Sequence, residues 1–235
     1  FPQLGQRRIA RITPADLRAV LKALEVQGMH ETARRAKQRC GQVFRHAIGL
    51  GIDCRDVTPD LRGLLEPPTV RHHASLTNPA DVGRLMLAID RYNGRATTTL
   101  ALRVAPLVFV RPFELRHAEW SEINLEGAEW RIPAAKMKMG VQHIVPLSTQ
   151  AVALLQQTQA LNGDGRYVFP KMGDARKPMS EATINQALRG LGFSGDEMTA
   201  HGFRSMASTL LNELGWRADA IERQLAHGEP DGARG

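Results

Sequence analysis

The sequence predicts an α+β chain, mostly helical, with a small all-α N-terminal domain over residues 1–68 and a larger helical domain over 69–235 built around a small antiparallel sheet. Three observations predict it. Apolar residues before position 64 recur only at helical spacing, and Pro67-Pro68 breaks the chain because paired prolines continue no helix. After the prolines, capped helices enclose a cluster of short alternating stretches. Those stretches carry no βαβ alternation and no internal repeat, which excludes a doubly wound sheet or a solenoid.

In the small domain, Thr13-Pro14-Ala15-Asp16 supplies an N-cap hydroxyl, a proline at the first helical position and an acid at the third. Leu17, Val20, Leu21 and Leu24 then follow at helical spacing. A second helix is predicted over 31–48, with Ala33, Cys40, Val43, Phe44, Ala47 and Ile48 as its apolar stripe and Gly49 and Gly51 as its stop. Its other faces carry Arg34, Arg35, Lys37, Arg39 and Arg45 against Glu31 alone, a pattern suited to tracking phosphates. The segment 64–73 reads as a linker.

In the larger domain, Asn78 caps a helix predicted to end near Gly94, and an apolar helix over 100–110 is interrupted at Pro106. Strands are expected at 120–125, 130–132 and 143–147. Ser148 caps 150–160, Ser180 caps 181–189, Thr199 caps a helix with His201 and Arg204, and a last helix covers 218–226.

Composition narrows the partners. With 31 Lys+Arg against 24 Asp+Glu the net charge is +7, which favours a polyanion. Residues 1–68 hold 12 cations and 7 acids, so most of the excess sits in the small domain. Cys40 and Cys54 lie in helix-like apolar surroundings, which argues for a reducing compartment rather than a disulfide scaffold. No apolar run reaches membrane-spanning length, and no signal-peptide pattern opens the chain. With Phe1 in place of Met, the sequence is expected to be an excision from a longer protein. Metal chemistry is disfavoured: His72-His73 are adjacent, the cysteines lie fourteen apart and no HExxH occurs.

The chemistry-bearing residues are two arginines, a lysine and histidines. Pro112 places Arg111 at a helix N-terminal edge, where free N–H groups favour an anion, and Glu114 lies one turn on to hold the guanidinium. His201 and Arg204, three apart, share a helix face. Lys136 and Lys138 lie between two strands with Gly140 at the turn, and strand periodicity puts both on one face without choosing between them. His227 closes the last helix, where the dipole favours a protonated ring. Such a set holds one phosphodiester and moves protons around it without a metal.

Taken together these residues resemble the tyrosine site-specific recombinases, specifically prophage and genomic-island integrases. The resemblance rests on Phe109-Val-Arg-Pro-Phe-Glu-Leu-Arg-His-Ala-Glu-Trp120, Lys136-Met-Lys-Met-Gly-Val-Gln-His-Ile-Val-Pro-Leu-Ser148, Tyr167-Val-Phe-Pro170, Pro178-Met-Ser180, His201-Gly-Phe-Arg204 and Ile221-Glu-Arg-Gln-Leu-Ala-His227. It covers nearly the whole chain and implies the DNA breaking–rejoining fold, with 1–68 as a core-type DNA-binding domain and 69–235 as the catalytic domain. It also implies catalytic roles for Arg111, Lys138, His201, Arg204 and His227, with Glu114 in support and Lys136 beside the DNA. Lys138, rather than Lys136, stands seven residues before Val145 of the V-P-L motif, as the family lysine does.

The implied reaction is metal-free and cofactor-free transesterification through a 3′-phosphotyrosine, integrating a prophage or genomic island. The implied partners are double-stranded DNA attachment sites and further copies of the chain, assembled as a tetramer on DNA in the bacterial cytoplasm at the nucleoid.

Two departures stand out. Phe113 occupies a position where the family commonly has glycine, and is expected to crowd the helix start. The family nucleophile lies roughly ten residues past the closing histidine. Here Tyr92 and Tyr167 are the two tyrosines, neither follows His227, and the sequence is expected to stop short of that residue by truncation. A non-cleaving, DNA-binding relative with a regulatory or structural role is the alternative reading.

Overall fold

The computed structural model describes residues 3–66 and 74–226; the expected linker prolines, His72-His73 and His227 lie outside them. The chain divides into two compact units, 1–71 and 72–235.

The first unit is a helical pair, α1 (Pro14–Val26) and α2 (His30–Gly49). A capping box fixes the start of α1: Thr13 Oγ1 accepts from Asp16 N–H, and Asp16 accepts from Thr13 N–H. Leu17, Leu21, Phe44, Val57 and Leu61 form the core. Leu64 and Leu65 pack against it, so the expected linker begins later than its first two leucines. Two of the expected stripe residues, Val43 and Ile48, are exposed, because the buried arc of α2 runs through Ala33, Gly41, Phe44 and Ala47. Cys54 lies past α2 in non-helical chain, and both cysteines are free thiols.

The second unit is wrapped around one buried helix. The helices α3 (Pro79–Asp90), α4 (Ala96–Val108), α5 (Pro112–Arg116), α6 (Thr149–Asn162), α7 (Ala182–Gly190), α8 (Gly202–Glu213) and α9 (Ala218–Gln224) surround two small sheets. Leu100, Ala101, Leu102, Val104, Ala105 and Val108 bury nearly the whole circumference of α4, which packs on α3, α6, α7 and α8. It runs through Pro106 without interruption and ends at Phe109, left-handed at φ 54°. The preceding helix stops at Asp90, before the glycine expected to end it.

The strands β1 (Ile123–Asn124), β2 (Glu129–Ile132) and β3 (His143–Pro146) form an antiparallel sheet in that order. Residues 120–122, expected as strand, form a 3-10 turn. Ile132 pairs with His143 and Trp130 with Val145, and alternation turns these four side chains inward. A second hairpin, β4 (Pro170–Lys171) and β5 (Asp174–Pro178), was not foreseen in the sequence. Its strands hold charges and prolines rather than an apolar alternation, so no period marks them.

Candidate active site

Four elements of the second unit meet at a buried charge cluster. Arg111 is the N-cap of α5, and Glu114 at its third position folds back on it. One carboxylate oxygen accepts the Arg111 backbone N–H at 2.7 Å, and the other accepts its guanidinium at 2.8 Å. Glu114 is 2% exposed and Arg111 only partly so, which makes the pair a rigid, desolvated fork. Phe113 does not crowd this helix start. It points outward, stacked on His117 with ring centroids 4.0 Å apart.

Arg204 comes from the first turn of α8 and is 5% exposed. Its guanidinium donates to the carbonyls of Phe109 and Leu225. Burial first, then the neighbouring positive charge of Arg111, brings its pKa down to about 10. His201 is the half-buried N-cap of the same helix, one turn before Arg204, and the helix proper starts at Gly202 rather than at Thr199. Thr199 still acts as a cap, its hydroxyl accepting from Gly202 N–H at 3.1 Å.

The end of α9 completes the cluster. Three successive carbonyls point into it: Gln224 toward His143 Nε2 at 3.2 Å, Leu225 toward Arg204, and Ala226 toward Arg111 at 3.1 Å. These are the orphan acceptors of a helix C-terminus, and cations and an N–H donor satisfy them. Among the described residues, the non-glycine positions with positive φ are Phe109, Ala128 and Ala226. Two of the three flank the cluster and turn their carbonyls onto its arginines, so backbone strain is concentrated at this site.

His143 is the member that sequence reasoning missed. It is buried, and its pKa is lowered by burial despite the opposing effects of the Gln224 carbonyl and Glu114. Accepting distance to a carbonyl requires Nε2 to carry the proton. The available signal was its strand phase with Val145, which faces the core.

The remaining candidates lie elsewhere. Lys138 is exposed in the turn of the loop joining β2 to β3, beside Gly140 at φ +66°, and is not part of the hydrogen-bonded cluster. Lys136 does not share its face. The residue closes a 3-10 turn (Ala134–Lys136) and points inward onto two carboxylates, because the segment is a turn and not a strand. Its ammonium is thus engaged by acceptors of the protein itself.

In the first unit the five expected phosphate-facing cations have internal partners. Arg34 donates to the Glu66 carbonyl and Lys37 to the Leu61 carbonyl at 2.7 Å. Arg35 pairs with Glu31, Arg39 bonds Gln42 and Arg45 pairs with Asp56. Among the described residues no group of three or more His, Cys, Asp or Glu is placed to hold a metal ion.

Residues 76–232 match the phage integrase family, and residues 1–64 match the phage integrase central domain. The chain is 37% identical to the integrase of Enterobacteria phage P4, over 100% of this chain and 56% of that protein. It is 33% identical to the integrase of Shigella phage Sf6, over 100% of this chain and 61% of the relative. The chain thus spans little more than half the length of these relatives.

Among solved structures, a lambda integrase dimer bound to a COC′ core site matches with TM-score 0.78 at 20% identity, covering 98% of this chain and 81% of that one. A lambda integrase tetramer bound to a Holliday junction matches at TM-score 0.76 and 20% identity, covering 99% and 70%. The Tn1549 transposon integrase in complex with a circular intermediate DNA matches at 0.73 and 14%, covering 97% and 81%.

Proposed function

The chain belongs to the phage integrase family and has the tyrosine-recombinase fold, and from that premise we propose that it is the core-binding and catalytic part of a site-specific recombinase that integrates a prophage or genomic island. The observation that carries this reading is the buried Arg111–Glu114–Arg204 cluster. Two guanidiniums held in fixed orientation and largely out of solvent suit one phosphodiester and the extra charge of its transition state.

In the proposed reaction a tyrosine hydroxyl attacks the scissile phosphorus and the bond to the 5′-oxygen breaks. A 3′-phosphotyrosine forms and a 5′-hydroxyl leaves. Arg111 and Arg204 hold the non-bridging oxygens. His201 takes the tyrosine's proton or bonds the phosphate, His227 donates to a remaining oxygen, and Lys138 protonates the departing 5′-oxygen. Attack by a second strand's hydroxyl reverses the step, and no cofactor is consumed.

The attacking tyrosine is proposed to come from outside these 235 residues. Tyr167 is 8% exposed in the core, and Tyr92 packs against the same core, so both act as packing residues. In the first unit, exposed Arg35, Arg39 and Arg45 are better placed than Arg34 and Lys37 to exchange an internal partner for a phosphate. Double-stranded attachment-site DNA and further copies of the protein, as a tetramer, are the proposed partners, in the bacterial cytoplasm at the nucleoid.

A nicked suicide substrate tests the assignment. The 235-residue chain is expected to bind core-site DNA without forming a denaturation-resistant adduct, whereas a longer parent protein forms one. Adduct formation by the 235 residues alone overturns the placement of the nucleophile. No adduct from the parent leaves the non-cleaving, DNA-binding role instead.

A further inference from the structure

The three N–H donors of the Lys136 ammonium meet three acceptors. Its ammonium donates to the His117 carbonyl at 2.7 Å, to Glu119 Oε1 at 2.7 Å and to Glu122 Oε1. The two carboxylates are fixed in turn. Arg166 grips Glu119 with two nitrogens, at 2.8 and 3.0 Å, and Trp130 Nε1 donates to Glu122 Oε2 at 3.1 Å. All three charged side chains are mostly buried, Lys136 at 19% exposure, Glu119 at 15% and Glu122 at 8%. A network this complete holds its members in one arrangement.

Its position gives it a use. His117 is the C-cap of α5, the helix that begins at Arg111. Lys136 ends the 3-10 turn after β2, and the next residue, Met137, is 7% exposed in the core. Lys138 follows at once, in a turn closed by Gly140 N–H on the Met137 carbonyl at 3.0 Å. One ammonium therefore ties the element carrying Arg111 to the root of the turn carrying Lys138. From this we infer that Lys136 is a positioning residue, setting where the Lys138 ammonium stands relative to the phosphate held by Arg111.

The inference rests on the reading of Lys138 as the acid that protonates the leaving 5′-oxygen, and the test separates the two. A cleavage-competent parent protein is assayed on a suicide substrate with the ordinary 5′-oxygen and on one with a 5′-bridging sulfur. A thiol is acidic at about 8.5, so a thiolate leaves without being protonated and needs no acid. A misplaced acid slows the oxygen substrate alone.

Lys136→Met is expected to slow oxygen-substrate cleavage by about 10-fold or more while cleaving the sulfur substrate near the wild-type rate, the pattern also expected of Lys138→Ala. If Lys136→Met does not fold, Glu122→Gln, which keeps an acceptor for Trp130, is read the same way. Equal slowing of both substrates, or no slowing, while Lys138→Ala is rescued by sulfur overturns the positioning role alone. Failure of sulfur to rescue Lys138→Ala overturns the reading of Lys138, and the inference with it.

Discussion

Arg204 carries its charge inside the protein, with a pKa drawn down to about 10 by burial and by Arg111. A guanidinium that binds its proton less tightly in the folded state costs stability while charged in both states. That cost shrinks as pH rises above about 10, where the folded protein gives up the proton and the unfolded chain still keeps it. Function runs the opposite way: DNA cleavage by the parent protein is expected to fall as pH rises through about 10, and a rate still flat well above that pH counts against phosphate contact by Arg204.

Arg111→Ala leaves Glu114, 2% exposed, as an unpaired buried charge, so a loss of about 3 kcal/mol in stability is expected beside the loss of activity. Arg111→Lys keeps the charge but not the planar fork. It is expected to fold normally and still lose on the order of 10²-fold in cleavage, measured as single-turnover adduct formation. The Arg111–Glu114 pair was legible in the sequence because the two stand three positions apart at the start of one helix. His143 was legible only as a core-facing residue, by its phase with Val145; that it meets the end of α9 beside the arginines depends on the folded chain. Lys136 misled for the same reason in reverse: alternation was assumed where the chain makes a 3-10 turn.

At the scale of elements, the helix that carries Arg204 is set by a close approach. A Cβ on Gly202 would stand 2.3 Å from the Ala74 carbonyl oxygen and 2.9 Å from Met198 Sδ. Gly202→Ala is therefore expected to push the start of α8 away, costing about 2 kcal/mol or more in chemical denaturation and lowering cleavage through Arg204 and His201. Unchanged stability would mean that Ala74 yields freely.

The turn around Lys136 has its own pH signature. Glu119, gripped chiefly by Arg166 and then by Lys136, titrates near about 2 instead of 4.5. A depressed carboxylate stabilises the fold above its unfolded value and loses that contribution as pH falls from 4.5 through about 2. Arg166→Ala is expected to raise the midpoint of acid unfolding, followed by tryptophan fluorescence, since Trp130 bonds the same network. Capped helices such as α1, α3 and α6 were readable because their start signals are local. The β4–β5 hairpin was not, because two-residue and charged strands carry no period.

For the molecule as a whole, the charge is unevenly shared. Residues 1–68 hold 12 Lys+Arg and 7 Asp+Glu, so a protein of residues 69–235 is expected to bind duplex DNA more weakly than 1–235, with a shallower dependence on salt. Equal slopes of log affinity against log salt for the two would refute this. Each unit has its own buried cluster, Leu17 to Leu61 in one and Leu85 to Met206 in the other.

The carbonyls that meet the two arginines, Leu225 and Ala226 at the end of α9 and Phe109 at the end of α4, bear on selectivity. A guanidinium already committed to fixed oxygens on both terminal nitrogens is a poor trap for a small dissolved anion. Chloride, sulfate or free phosphate would have to enter a crowded coordination sphere with only its own charge to offset the rearrangement. A phosphate within a duplex arrives with the contacts of its neighbours already made. On the proposed function, these carbonyls are resident ligands that would reserve the arginines for a phosphate held in its polymer, in a cell where loose anions are abundant.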